Sequence, residues 1–449
     1  MYAAAVLLAV AQPPTPPGLT PWPFDELTLK NGAVFQGLIL SETPGEITFQ
    51  GVRRPPGKPT FTLTTRFTRG EIANVKRLLE KDREFLRERI AELDPDGSGE
   101  RKRMEGVEFA AADWLGKRDA ARRYDSEFFT LISDAPEEVT RRAAVRLEHL
   151  YTAFTRFLPP AVPTARPTTV FLAPTPDEYR QLLAPLGRAD LLNPAVFDPA
   201  ANRILCGTDL DRLGDELAAA KLHHAQQLAA LDRYEAGVRM LYRRPELERY
   251  LTAVSAERRR VFAADRANMA NLDVHTERLF AVLYHESFHA YAASFAYPPL
   301  PADRVKAGEG TGELPRWLNE GLAQVFERAV VEAGEVRADA PDQKRLTRAK
   351  EAVGAKGAGL MPLTELLGAG PGAFLAHHAD GKAEADRAYL TCWALAHHLT
   401  FDRRAVGSER FRAYLVAVNT GDDPRRAFED LVGQPLPAFE ADWHAALRK

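Results

Sequence analysis

Two histidines four residues apart, His285 and His289, are the side chains of this sequence best placed to do chemistry. They lie in the apolar run 279–297, which predicts a buried helix. Since residues four apart share one face of a helix, both imidazoles could bind a single metal ion. Glu286 would be rotated by about 100° from His285 and would flank that ion, as a base that deprotonates a metal-bound water should. The H-E-x-x-H spacing therefore predicts a hydrolytic metal centre.

Two core histidines beside a buried acid are the alternative interpretation of this motif. The chain has 11 histidines, and a chance match to H-E-x-x-H in a chain of this size has odds of about a few per cent. Core packing would leave Glu286 among Leu283, Phe288 and other apolar residues with no evident partner, and an unpaired buried carboxylate is costly. A metal site removes that difficulty, so we favour it.

A third ligand is needed, because a catalytic zinc takes three protein ligands and keeps one open position. The segment 314–324 reads L-P-R-W-L-N-E-G-L-A-Q, and Pro315 suits the first turn of a helix that carries Glu320. A lone helical glutamate is more often a solvated surface residue, but its neighbours, such as Trp317, favour burial. Gly321 is a poor helix former, which predicts the close approach of another backbone or of a metal site.

The pair of motifs resembles a known group. H-E-S-F-H followed by W-L-N-E-G-L-A is similar to the gluzincin metallopeptidases, and more narrowly to bacterial peptidase-MA-like proteins of largely unknown function. The resemblance covers the chain from about residue 107 to its end. It implies that His285, His289 and Glu320 hold one Zn²⁺, that Glu286 is the general base, and that a zinc-activated water hydrolyses peptide bonds.

The chain departs from the thermolysin-like gluzincins at one position. These proteins have an aspartate four residues after the ligand glutamate, where this chain has Gln324. Gln324, or Glu327 one turn further on, is then the candidate that orients a histidine ligand. Tyr389 lies in Y-L-T-C-W-A-L, which resembles a recurring helix of the group, and could donate a hydrogen bond to an oxyanion. A packed core tyrosine with a satisfied hydroxyl is the alternative.

Composition excludes several other classes. The net charge is -3, from 59 basic and 62 acidic residues, and no block of Lys and Arg predicts a nucleic-acid partner. No uninterrupted apolar run reaches the length that a membrane span needs. Cys206 and Cys392 are too few for a disulfide framework and are expected to be small buried side chains.

The first residues predict export. The apolar run 3–11 ends in Ala-Val-Ala, so residues 1–12 are interpreted as a signal peptide and 13–23 as a proline-rich linker. The mature protein would then be periplasmic, attached to the cell surface or secreted. A misassigned start or a merely apolar tail is the alternative, because the run is short and no Lys or Arg precedes it.

The elements around the site predict a helix-rich α+β fold. Period-two alternation at 26–30, 33–40, 46–52 and 60–67 indicates a small SH3- or Sm-like β-barrel over 24–67, which could dock a protein partner. A linker helix and turn follow over 69–104. The segment from Asp94 to Glu105 formally matches a calcium-binding loop, but Arg101 at its eighth position, where an apolar residue is usual, disfavours calcium.

Residues 105–449 are assigned to a gluzincin-like domain. A small sheet is expected from strands at 126–133, 168–173, 195–198 and 203–206, with an edge strand that could hold an extended substrate. A helical hairpin is inserted at 209–268, the metal helix starts near Asp273, and 340–449 form a helical subdomain.

The sequence thus predicts a zinc-dependent metallopeptidase that cleaves a peptide or protein substrate. The alternative is a non-catalytic scaffold that acts through its barrel and helical arm. In that case the metallopeptidase-like site would be structural or degenerate.

Overall fold

The computed structural model describes residues 21–95, 97–161, 166–189, 193–207, 211–299, 312–338, 341–354, 359–370, 374 and 379–448. The predicted signal peptide lies outside these residues. Helices and strands together form an α+β protein, as predicted. In the ranges just given, none of the helices has the length and apolarity required to cross a membrane.

The chain divides into two compact units. The first contains the described residues of Met1–Arg103, Arg146–Arg166 and Ser287–Lys449, and the second contains those of Met104–Val145 and Pro167–Glu286. The helix that carries the two histidines continues through the boundary without a break.

The N-terminal sheet belongs to the first unit. Its strands are β1 (Asp25–Leu29), β2 (Val34–Glu42), β3 (Glu46–Arg53), β4 (Phe61–Thr68) and β5 (Ile72–Lys76). All neighbours pair antiparallel in the order β4-β3-β2-β1-β5. Alternation places Leu27, Ile47 and Phe49 in its core, so the four strands read from period two are confirmed. The predicted closed barrel is not found, because among the described residues β4 and β5 form two open edges.

Strand β5 corrects the predicted start of the linker helix. Ile72 and Val75 are spaced as on a helix face, but both pack against the sheet core, and β5 pairs with β1. The helix α1 (Glu80–Ala91) begins only after this strand.

The segment that formally matches a calcium-binding loop contains a helix cap. Asp94 accepts hydrogen bonds from the backbone N–H groups of Gly99 and Glu100 at 2.9 and 2.5 Å, in the first turn of α2 (Ser98–Glu105). The absence of calcium from this loop stays a prediction, and Asp96 lies outside the described residues.

The sheet of the second unit contains six strands in the order β10-β11-β9-β8-β7-β6. They are β6 (Ala110–Trp114), β7 (Lys117–Asp125), β8 (Phe129–Ser133), β9 (Thr168–Ala173), β10 (Ala195–Asp198) and β11 (Arg203–Gly207). The strands β8, β9 and β11 pair in parallel, whereas β10 pairs antiparallel to β11 and forms one edge. Sequence reasoning found four of these strands and missed β6 and β7, whose residues are mostly exposed and do not alternate in polarity.

The helices up to the two histidines are α1 and α2, then α3 (Glu137–Phe157), α4 (Pro176–Leu183), α5 (Asp211–Leu241) and α6 (Glu246–Tyr291). Residues 242–245 separate α5 from α6, and ion pairs such as Arg258 with Glu235 at 2.6 Å join the two helices. The predicted helix start near Asp273 is wrong. Residues 246–291 contain no glycine or proline, so nothing in the sequence ends the helix before the histidines.

After α6 the chain is mainly helical. It forms α7 (Arg316–Phe326), the hairpin β12 (Val330–Glu332) and β13 (Glu335–Arg337), α8 (Gln343–Gly354), α9 (Leu363–Leu366), α10 (Ala379–His397), α11 (Glu409–Asn419), α12 (Pro424–Val432) and α13 (Leu436–Arg448). The described residues of 340–449 are mainly helical, as predicted, whereas the hairpin was not predicted.

Buried charges bind the hairpin to the N-terminal sheet. Arg337 is 1% exposed, pairs with Glu332 and donates to the carbonyl oxygens of Lys58 and Pro55 at 3.2 and 3.1 Å. Glu335, on the same strand as Arg337, accepts a hydrogen bond from Arg54 at 2.9 Å. The N-terminal sheet is therefore an integral part of the first unit.

Gly321 of α7 shows the close approach that its position predicted. A Cβ added there would lie 2.5 Å from the carbonyl oxygen of Cys392 and 2.7 Å from Cβ of Ala396, both in α10. We expect Gly321→Ala to lower the free energy of unfolding by about 2 kcal/mol, since α7 and α10 would have to separate. Denaturant unfolding measures this loss.

Gly237→Ala in α5 is the matched control, because nothing lies within 4 Å of the added Cβ. This change should stabilise the protein by up to about 1 kcal/mol through helix propensity. A Gly321→Ala protein as stable as the wild type would contradict the described packing of α7 on α10.

Candidate metal centre

The last turns of α6 position the histidines through aromatic packing. Phe288 is fully buried and lies 5.7 Å from Phe154 and 5.1 Å from Phe326, measured between ring centroids. One turn on, the hydroxyl of Tyr291 donates to the carbonyl oxygen of Leu158 at 2.5 Å. These contacts fix the rotation of the helix about its axis, and with it the direction of His289.

Helix α7 positions Glu320 in the same way. It begins directly after Pro315, as predicted, and its residues from Trp317 onwards are almost all buried. Gln324 donates to the carbonyl oxygen of Tyr389 at 3.0 Å, and Trp317 donates to the hydroxyl of Tyr414 at 3.2 Å. The Glu320 side chain is 2% exposed, which excludes the solvated surface glutamate that was its alternative.

The three predicted ligands come together. One ligand atom from each of His285, His289 and Glu320 lies within 4.8 Å of the other two. Nε2 of His289 and Oε2 of Glu320 are 3.5 Å apart, close to the roughly 3.3 Å between neighbouring ligands of a tetrahedral zinc. Among the described residues, no other group of three or more His, Cys, Asp or Glu is arranged in this way. Two imidazoles and a carboxylate are a donor set that fits zinc.

Asn319 orients one of these ligands. Its Oδ1 lies 3.0 Å from Nδ1 of His289. Since an amide oxygen can only accept, Nδ1 donates this hydrogen bond, which leaves Nε2, the nitrogen nearer Glu320, as the one that could bind a metal ion. Sequence reasoning missed this role, although Asn319 directly precedes Glu320 in the quoted motif.

Gln324 and Glu327, the residues expected to orient a histidine, form contacts with other groups. Gln324 donates its amide to backbone carbonyl oxygens, and Glu327 forms an ion pair with Arg345 at 2.8 Å. Their role beside the histidines stays a prediction. Tyr389 donates its hydroxyl to the carbonyl oxygen of Phe374 at 3.2 Å, and its role at an oxyanion also stays a prediction.

Glu286 has a partner that the sequence did not reveal. Its Oε2 accepts a hydrogen bond of 2.7 Å from the backbone N–H of Phe197 in β10. Contrary to expectation, this carboxylate therefore has a partner without a metal ion. This hydrogen bond places the side chain of Glu286, the predicted base, against β10, an edge strand of the six-stranded sheet.

Arg316 contacts the oxygen of Glu320 that faces away from His289. Its Nη2 lies 2.6 Å from Oε1 of Glu320, while Oε2 faces His289. The two oxygens of the carboxylate thus have different neighbours. Sequence reasoning did not single out Arg316.

Both cysteines are buried free thiols, as expected. Burial raises the pKa of Cys206 and of Cys392, and the negative charges of Glu286 and Glu320, respectively, raise these pKa values further. Both thiols therefore stay protonated at neutral pH.

No protein-family model, curated protein or solved structure matches the chain. Any functional assignment therefore depends on the geometry of this site and on the motifs that form it.

Asn319→Ala should weaken zinc binding about tenfold, because the ring of His289 would lose the group that fixes its orientation and tautomer. Competition with a chromophoric chelator measures the dissociation constant. Asn419→Ala is the matched control, since its amide donates a hydrogen bond of 3.0 Å to the carbonyl oxygen of Glu313, which is not a ligand. Equal zinc affinities for both variants and the wild type would contradict the role of Asn319.

Proposed function

We propose that the protein is a zinc-dependent metallohydrolase of the gluzincin type, and that peptide bonds are its substrate. The observation that carries the proposal is the convergence of His285, His289 and Glu320 from two helices. Glu286, next to the first ligand in sequence, supplies a carboxylate that a purely structural metal site would not require.

A zinc ion held by these ligands would activate a water molecule and polarise the carbonyl of the scissile bond. Glu286 takes up the proton that the water loses as its oxygen attacks the carbonyl carbon. It then delivers this proton to the nitrogen of the leaving amine as the C–N bond breaks. His285, His289 and Glu320 bind the ion, and Asn319 holds the ring of His289 in the orientation that binding requires.

The edge strand β10 favours a peptide as the substrate. Extended peptides commonly bind by adding a strand to the edge of a sheet, where backbone groups give affinity without regard to sequence. The contact between Glu286 and the N–H of Phe197 brings the proposed base to this edge. A substrate strand along β10 would therefore present its backbone carbonyls near the base. The apolar segment 3–11 leads us to propose that the protein acts outside the cytoplasm.

Glu286→Gln should keep one zinc per chain and lower the rate of peptide hydrolysis by about 10²- to 10⁴-fold, because it removes a base and not a ligand. Zinc content and cleavage of a fluorogenic casein substrate are the two measurements. Glu257→Gln is the matched control, since this residue lies on the same helix, is 47% exposed and pairs with Arg260. The control should cleave at the wild-type rate.

Zinc content and substrate cleavage together distinguish the proposed hydrolase from a non-catalytic scaffold. Unchanged cleavage by Glu286→Gln would contradict the proposed mechanism. A wild-type protein that binds zinc but cleaves none of a panel of peptide and protein substrates would favour a non-catalytic scaffold.

A further inference from the structure

Arg316 stands where a basic side chain is locally unfavourable. It is the first residue of α7, and the positive end of the helix dipole repels a cation there. Its side chain is 46% exposed, whereas that of its partner Glu320 is 2% exposed. The contact therefore differs from an ordinary surface ion pair, which contributes little to stability.

The two carboxylate oxygens of Glu320 have different neighbours. Nη2 of Arg316 lies 2.6 Å from Oε1, whereas Oε2 lies 3.5 Å from Nε2 of His289. Arginine suits this task better than lysine, since its planar guanidinium holds fixed directions and stays charged. The ring of Phe374 lies 5.9 Å from Cζ of Arg316 and stabilises the guanidinium further.

We propose that Arg316 is a positioning residue that holds Oε1 of Glu320 away from the metal ion, so that the glutamate binds through Oε2 alone. The inference rests on the proposed function, because it concerns the same metal site. It goes beyond that proposal by assigning a role to a residue outside the ligand set and the base.

A single bound oxygen has a consequence for activity. A catalytic zinc needs one position for water or substrate besides its three protein ligands. A glutamate bound through both oxygens would take up that position. Together with Asn319, Arg316 gives α7 two positioning side chains, one for a histidine ligand and one for the glutamate itself.

Cobalt substitution tests this role without measuring activity. In the full chain loaded with Co²⁺, Arg316→Gln should show a several-fold loss of visible absorption, because a second carboxylate oxygen raises the coordination number. The zinc dissociation constant should rise by about tenfold, as for other residues that orient ligands. Arg316→Lys keeps the positive charge near Oε1 and should restore most of the cobalt absorption.

Arg328→Gln is the matched control. Arg328 follows the other end of α7, is 49% exposed and lies 3.9 Å from a carboxylate oxygen of Asp342. The Arg328→Gln substitution should leave the cobalt spectrum and the zinc affinity unchanged.

A wild-type cobalt spectrum for Arg316→Gln would overturn the role of Arg316 and leave the proposed function intact. A wild-type protein that binds neither zinc nor cobalt would overturn the proposed function, and the role of Arg316 with it.

Discussion

The buried carboxylate of Glu320 is the constraint on which the rest of the structure depends. Burying an ion without compensation costs on the order of several kcal/mol, and this side chain is 2% exposed. Arg316 compensates one oxygen at 2.6 Å, and the other faces an imidazole at 3.5 Å. A divalent cation bound among Glu320 and the two histidines would give this second oxygen a cationic partner as well.

The surrounding packing keeps these groups together. Phe154, Phe288 and Phe326 bring together the ends of α3, α6 and α7, with centroid distances from 5.1 to 5.9 Å. On another side of α7, Gly321 allows the backbone of α10 to come close. The hairpin that follows α7 binds the N-terminal part of the chain through the ion pair of Glu335 with Arg54 and through hydrogen bonds from Arg337 to carbonyl oxygens.

The sequence predicted the parts of this site that depend on spacing within one element. His285 and His289 follow from helical periodicity, and Gly321 from its poor helix propensity. The roles of Asn319 and Arg316 could not be predicted, because many partners are possible for an amide or a guanidinium until the fold selects one. The partner of Glu286 was missed for the same reason. It is a backbone N–H, which nearly every residue type carries, so the sequence does not distinguish it.

Two errors in the predicted fold, the helix start at β5 and the closed barrel, have a similar origin. Ile72 and Val75 are spaced three apart, which fits a helix face, yet their packing against β1 decides for a strand. The closure of a barrel depends on whether the first and last strands meet, and alternation of polarity carries no information about that pairing. Local patterns therefore predicted most elements, whereas their termination and closure depended on tertiary contacts.

X-ray absorption at the zinc edge of the full-length protein tests the central claim most directly. The account predicts one zinc per chain, bound only by nitrogen and oxygen at about 2.0–2.1 Å with the scattering pattern of two imidazoles. Absence of zinc, a sulfur ligand at about 2.3 Å, or a spectrum unchanged in Glu320→Ala would contradict it.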